Sequence, residues 1–301
     1  MKKYLTAFIL TALLSLFYMP DNVAASSSPV AGKKKTLYFS LVPKKNVDQQ
    51  ILELSPLLEL LEERLNRQIE VIRPQSYNAV IEGVISQTID FAILGPASYA
   101  KARAIDNGVD AFASFKTKKG YLNLEGSFYN SVLFTIQNLK YRSIPDLKGR
   151  KVALTDPEST SGAIIPNMEF SKHIGSPLKT FFGSLIYTGS HDRSIDAVLN
   201  GLVDAAFVST SRIDEALTKG KLSQGNLVIL WRSKPIHYDP FVFSSGVDDS
   251  LRNEIKTIIL SSPPELEPML NKMDMAGIVA VDNEDYRAIH DIIAKKIEER
   301  K

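Results

Sequence analysis

Three small hydroxyl residues in a row, Ser159, Thr160 and Ser161, followed by Gly162, form the part of this chain best suited to hold an anion. An apolar strand pattern at 151–154 and an Asp156-Pro157 turn precede them. A helical pattern follows through Ile164, Ile165, Met168 and Phe170 to Gly175. A helix N-terminus carries unpaired N–H groups and a partial positive charge, so it holds an oxyanion without a lysine. The hydroxyls add donors, and their small size lets the anion reach the backbone. The plainer reading is an ordinary Ser/Thr cap.

Three more residues stand where polar chemistry is possible. Tyr77 directly follows Ser76, a candidate N-cap, so its hydroxyl lies near a second helix start or else at the surface end of a packed ring. His191 opens a helix after Gly189-Ser190. The helix dipole disfavours its cation and makes it a neutral donor; the alternative is a capping or solvent-facing histidine. Asp239 precedes Pro240 and is either a turn residue or an acceptor. An ionised carboxylate only accepts hydrogen bonds, so beside an anion it requires a ligand that keeps a proton. Sulfate, fully ionised at neutral pH, fails that test. Ser161, His191 and Asp239 can be drawn as a triad, but no Gly-x-Ser-x-Gly elbow is present, and no catalytic residue is assigned. No metal-ligand spacing and no nucleotide-loop lysine occur, so neither metal nor cofactor is expected.

The elements that position these residues alternate. Leu37, Phe39 and Leu41 read as a strand, and Ile51, Leu54, Leu57, Leu58, Leu61 and Leu65 as a helix. A short strand at 69–72 leads to a helix capped by Ser76, a buried strand at 89–94, a helix from Gly95-Pro96 and a strand at 111–115. Such alternation predicts parallel α/β sheets. Ala79-Val80-Ile81-Glu82-Gly83 followed by Asp90 is echoed by Ala197-Val198-Leu199-Asn200-Gly201 followed by Asp204, which suggests two lobes of similar build. Segments 129–136 and 231–245 read as the crossings between them, and 248–260, 265–275 and 282–299 as closing helices. The lysine-rich run at 116–119 reads as a solvated loop.

Residues 1–25 read as a cleaved secretory signal: Lys2 and Lys3, an apolar run at 5–19, and Val23-Ala24-Ala25 before Ser26. Residues 26–35 read as a flexible leader. The chain has no cysteine, which excludes disulfides, thiolate metal sites and a lipid anchor on an N-terminal Cys. A soluble secreted protein of this kind suggests a bacterial periplasm. Removing Lys2, Lys3 and Asp21 with the signal lowers the formal charge from +2 to +1, which argues against a nucleic-acid partner.

Taken in order, several short pieces resemble the phosphate/phosphite/phosphonate-binding proteins of ABC importers. They are the strand near Leu37, Pro74-Gln75-Ser76-Tyr77, Asp90 through Gly95-Pro96-Ala97-Ser98-Tyr99, Asp156 through Gly162, Gly189-Ser190-His191-Asp192, and His237-Tyr238-Asp239-Pro240. The resemblance covers residues 36–275. It implies a type II periplasmic binding protein with two α/β lobes joined by two crossing strands around a cleft. Lobe 1 would comprise 36–128 and 241–301, and lobe 2 would comprise 129–240. It further implies that a phosphorus oxyanion is bound by Tyr77, Ser159, Thr160, Ser161, His191 and Asp239. Tyr99, Gly162 and Ser211 form a second tier. Leu94 stands where the family has a tyrosine, with Tyr99 one helical turn on. Ser211 stands where relatives that take amine-bearing phosphonates have a glutamate. An amine would then be buried unpaired, so phosphate, phosphite or a short alkylphosphonate is favoured. The implied partner is an ABC permease, with docking on a membrane receptor kinase as the alternative role.

Overall fold

The structure, a computed structural model, describes residues 36–298; the expected signal and leader lie outside them. The strands in chain order are β1 (Leu37–Leu41), β2 (Ile69–Val71), β3 (Phe91–Ile93), β4 (Asp110–Thr117), β5 (Phe128–Tyr129), β6 (Ser131–Ile136), β7 (Lys151–Leu154), β8 (Ser184–Tyr187), β9 (Ala205–Ser209), β10 (Leu227–Arg232), β11 (Ile236–His237), β12 (Pro240–Phe243) and β13 (Met275–Ala280). They build a six-stranded sheet of order β13-β4-β12-β3-β1-β2 and a five-stranded sheet of order β10-β6-β9-β7-β8. Between the two, β5 pairs antiparallel with β11, Tyr129 opposite Ile236. The protein thus has two α/β lobes joined by two crossing strands. No helix among the described residues is long and apolar enough to cross a membrane.

Each sheet has a parallel heart, β2-β1-β3 in the first and β8-β7-β9 in the second. Here the sequence-based expectation of parallel sheets is incomplete. The crossing segments run into each sheet from the far lobe, so β6 lies antiparallel to β9 and β12 antiparallel to β3 and β4. A second correction concerns 265–275. Only Glu267–Lys272 is α-helical there, and Met275 begins β13, which pairs antiparallel with β4. Gly277, at φ +154°, sits where that register shifts, a conformation glycine adopts without strain.

The echo between the halves is structural. Helix Tyr77–Ile85 leads into β3, and helix His191–Leu199 leads into β9. At matching points Asp90 accepts the Tyr38 N–H at 2.8 Å, and Asp204 accepts the Lys151 N–H at 2.8 Å. Each carboxylate ties its strand to the parallel neighbour. The central strands of both sheets are buried on their two faces, which explains runs such as Ala205–Ser209 without polar alternation. In the second lobe Phe170, Phe182, Phe207 and the single Trp231 form one aromatic cluster, with Phe207 5.0 Å from Phe170. In open α/β sheets the loops beyond the carboxyl ends of the strands make the binding crevice. Here the loops after β1, β3, β7 and β9 converge on one space between the lobes.

Candidate ligand-binding site

That space is a cavity of about 20 Å³. One water needs roughly 10–15 Å³ on this measure, so the cavity suits one compact group rather than an extended molecule. Tyr77, Ser159, Thr160, Ser161, His191, Asp239 and Ser211 all line it. Several helix starts point at it. Ser76 caps the first through the Ala79 N–H, Ser190 caps another through the Arg193 N–H, and Ser209 a third through the Arg212 N–H. Gly95 opens a fourth, helix Pro96–Ile105. Tyr77 and His191 are thus first residues of equivalent helices in the two lobes.

The hydroxyl helix departs from ordinary α geometry. It begins with a π-helical stretch, Thr160–Ile164, in which the Ile164 N–H reaches back five residues to the Ser159 carbonyl at 2.9 Å. Pro166 has no N–H to offer Ser161 in such a ladder. The Ser131 hydroxyl of β6 supplies the missing donor to the Ser161 carbonyl at 2.6 Å. Single-turn π geometry is frequent at functional sites. Here it turns three successive hydroxyls toward one space. Thr160 Oγ1 accepts the Ala97 N–H at 2.9 Å, which leaves its own hydrogen to donate elsewhere. Gly162 does not line the cavity. Its N–H caps onto Ser159 Oγ at 3.2 Å, and a Cβ there would meet Thr155 Oγ1 at 1.8 Å, so only glycine permits this turn.

His191 is buried, and its Nδ1 accepts the Ser209 N–H at 3.3 Å. The proton therefore sits on Nε2, 3.4 Å from Ser159 Oγ and facing the cavity. Burial, reinforced by the Arg212 and Lys44 charges, lowers its pKa from 6.5 to about 3. The imidazole is a neutral donor, held so by burial and these two charges. Burial likewise raises the Tyr77 and Tyr129 hydroxyls, with the Asp239 charge adding to both, so each stays protonated. Tyr77 neighbours Ser159, and Tyr129 neighbours Thr160 and Ser161.

Asp239 is not alone. Lys44 donates to its Oδ2 at 2.8 Å and stands 5.2 Å from the Tyr238 ring centre. Burial would lower the Lys44 pKa, but the Asp239 charge overrides this and holds it above its ordinary value. The Tyr238-Asp239 segment is pinned from lobe 1 by the Tyr286 hydroxyl on the Tyr238 carbonyl at 2.9 Å and the Ser114 hydroxyl on the Asp239 carbonyl at 3.1 Å.

Sequence reasoning missed Lys44, Tyr129, Ser209 and Tyr238, all of which line the cavity. The Tyr129 and Tyr238 rings meet edge-on at 5.7 Å where the two crossings pass, a position that a pattern of crossing strands could have flagged. Tyr99 is a correction. It lies one turn behind the helix start at Gly95, some ~5 Å back along the axis. Its ring packs on Tyr286 and His290, and its hydroxyl donates to Asn283, so it is core and no part of the cavity. Leu94 is also fully buried.

The lobes meet around this space. Ser98 donates to the Glu158 carbonyl at 3.1 Å, Lys101 pairs with Glu158 at 2.9 Å, and the His191 N–H reaches the Lys44 carbonyl at 3.2 Å.

Comparison with known proteins identifies the family. A family model described as the periplasmic substrate-binding protein of phosphonate ABC transporters matches residues 39–286. The chain is 27% identical to the phosphate-import protein PhnD of Mycolicibacterium smegmatis, covering 77% of this chain and 73% of that one. A binding protein component of a Pseudomonas aeruginosa ABC phosphonate transporter has a similar fold, with TM-score 0.77 at 19% identity and 85% of each chain covered. PhnD1 of Prochlorococcus marinus, solved with methylphosphonate, gives TM-score 0.74 at 20% identity over 87% of this chain and 98% of that one. None of these names points to a receptor kinase as partner.

Proposed function

Because the chain belongs to the periplasmic phosphonate-binding family of ABC transporters, a family of carriers and not of enzymes, we propose that it captures a phosphorus oxyanion between its lobes and delivers it to an ABC permease. The observation that carries this reading is the small cavity whose walls combine neutral donors with a single compensated ion pair. Tyr77, Tyr129, Ser159, Thr160, Ser161 and the Nε2–H of His191 supply donors, and the Lys44 and Asp239 charges oppose each other across 2.8 Å. An anion there is held by oriented dipoles, with Asp239 left to accept a proton that the ligand retains. Phosphate keeps at least one at neutral pH, and the singly ionised forms of phosphite and phosphonates, present in quantity there, keep one as well, whereas sulfate does not. Rejection through an unpaired buried acceptor is an effective specificity device.

The lobes would be 36–128 with 241–301, and 129–240, each contributing part of the wall. Ser211, half-buried, lies beside Ser209 at 3.2 Å, so no free carboxylate stands at that position for an amine. Glu215, one turn further, is taken up by Arg212, Lys45 and Lys219. Calorimetric titration with phosphate, phosphite, methylphosphonate, 2-aminoethylphosphonate and sulfate tests the proposal. At least one of the first three should bind at least about tenfold more tightly than sulfate, a difference of about 1.4 kcal/mol. Equal binding of sulfate, or no binding by any, would overturn it.

A further inference from the structure

A second, much larger chamber of about 790 Å³ adjoins the small cavity, and Val42, Lys44, Ser211 and Tyr238 belong to the walls of both. Its size falls within the range of pockets that hold whole organic ligands. The larger chamber lies between the lobes. Lobe 1 contributes the loop after β1, the face of helix Val47–Leu65 and segments around 118–123 and 272–275; lobe 2 contributes helix Thr210–Thr218. The lysine-rich run, expected to be a solvated loop, is thus part of a chamber wall.

The charges of this chamber are not balanced. Glu215 holds Arg212, Lys45 and Lys219, and Glu53 also holds Lys45 at 2.6 Å. Asp214 accepts the N–H groups of Leu122 and Asn123 at 2.8 and 2.9 Å. These carboxylates are committed to the protein itself. Lys118 donates to the Asn271 amide oxygen at 2.6 Å, and Lys118, Lys119 and Lys272 are in no ion pair among the described residues. Asp274, the remaining carboxylate of this wall, stands against three lysines. Leu54, Ile93, Phe115, Leu222 and Met275 add apolar surface to the walls of the same chamber.

Resting on the function proposed above, we infer that the ligand is a phosphonate or phosphate monoester whose organic substituent extends into this chamber and ends in an anionic group. The small cavity takes the phosphoryl head. The apolar surface takes a short carbon chain, and the field of Lys118, Lys119 and Lys272 favours a terminal carboxylate or second phosphoryl group over an amine. Exposed charges act here through solvent, so each lysine contributes a factor of about two to five rather than orders of magnitude.

The test is calorimetric titration with methylphosphonate, 3-phosphonopropionate, 6-phosphonohexanoate and 2-aminoethylphosphonate. At least one carboxyalkylphosphonate should bind about fivefold or more tightly than methylphosphonate, and 2-aminoethylphosphonate should be the weakest. K119E and K272E should each weaken the carboxyalkylphosphonates about threefold or more while leaving methylphosphonate within twofold. Salt should erode the carboxyalkyl preference. Methylphosphonate binding as tightly as its longer analogues, or variants that do not discriminate, would make the chamber a solvent vestibule and overturn the inference alone. Failure of methylphosphonate and all the others to bind would overturn the oxyanion reading, and this inference with it.

Discussion

Asp239→Asn separates the role of a proton acceptor from that of a turn residue. In the parent, one carboxylate oxygen accepts from Lys44 at 2.8 Å, with the two side chains 24% and 11% exposed. Asparagine keeps the shape, removes the charge and can present an N–H. Breaking a fully buried pair costs about 3–5 kcal/mol. Lys44 keeps partial access to water, so the expected loss of fold stability is nearer about 1–2 kcal/mol. The selectivity effect runs differently. A phosphate-type ligand loses the acceptor for its P–OH, while fully ionised sulfate gains an N–H donor and a released ammonium. Phosphate-type binding should fall and sulfate binding should hold or rise, shifting their ratio about tenfold or more, which is about 1.4 kcal/mol. Competition titrations on parent and variant measure the ratio, and thermal denaturation measures the stability. Lys44→Met is the control: it should weaken all the anions, sulfate at least as much as phosphate, because Asp239 then opposes them uncompensated. A phosphate-to-sulfate ratio unchanged by Asp239→Asn would refute the reasoning and return the residue to a structural role.

Three other outcomes are expected. Thr160→Ala and Ser161→Ala should each weaken oxyanion binding by about 1.5–3 kcal/mol, the range for hydrogen bonds to charged partners, with a smaller loss of fold stability; titrations matching the parent would remove this helix from the site. His191, held neutral in the fold down to about pH 3, takes up a proton on unfolding below its ordinary value of 6.5. Its contribution to stability is therefore complete above about pH 6.5 and is lost as pH falls toward 3, at up to about 1.4 kcal/mol per pH unit. His191→Asn should flatten the fall of the melting temperature between pH 7 and 4, and a parallel curve would contradict the assignment. Small-angle scattering should show a smaller radius of gyration when methylphosphonate saturates the protein, since the cavity takes wall residues from both lobes; an unchanged profile with ligand bound would count against closure.

What was legible in the sequence was local. Ser76, Ser190 and the Ser159–Ser161 run announce helix starts through short-range capping chemistry, and that places Tyr77 and His191 at a cavity without knowledge of the partner lobe. The Asp90 and Asp204 echo was visible because each carboxylate serves its own lobe by the same backbone bond. What was not legible depends on distant pairing. Lys44 acquires its role from a carboxylate 195 positions away, and nothing near Lys44-Lys45 distinguishes it from a surface pair. Tyr129 and Tyr238 read as strand residues until the crossings bring their rings together. Tyr99 sits at the right distance from Gly95 along the chain, but the packing of the last helix, through His290, claims its face. Strand β13 was missed because its partner, β4, lies far back in the chain and the preceding helical pattern suggested continuation.

A crystal structure of the protein grown with methylphosphonate tests the central claim most directly. The account predicts the phosphonate group in the cavity, with its oxygens within hydrogen-bond distance of Tyr77, Ser159, Thr160, Ser161 and His191 Nε2, and one protonated oxygen facing Asp239. Ligand bound elsewhere, or this cavity filled by water while titration shows saturation, would contradict it.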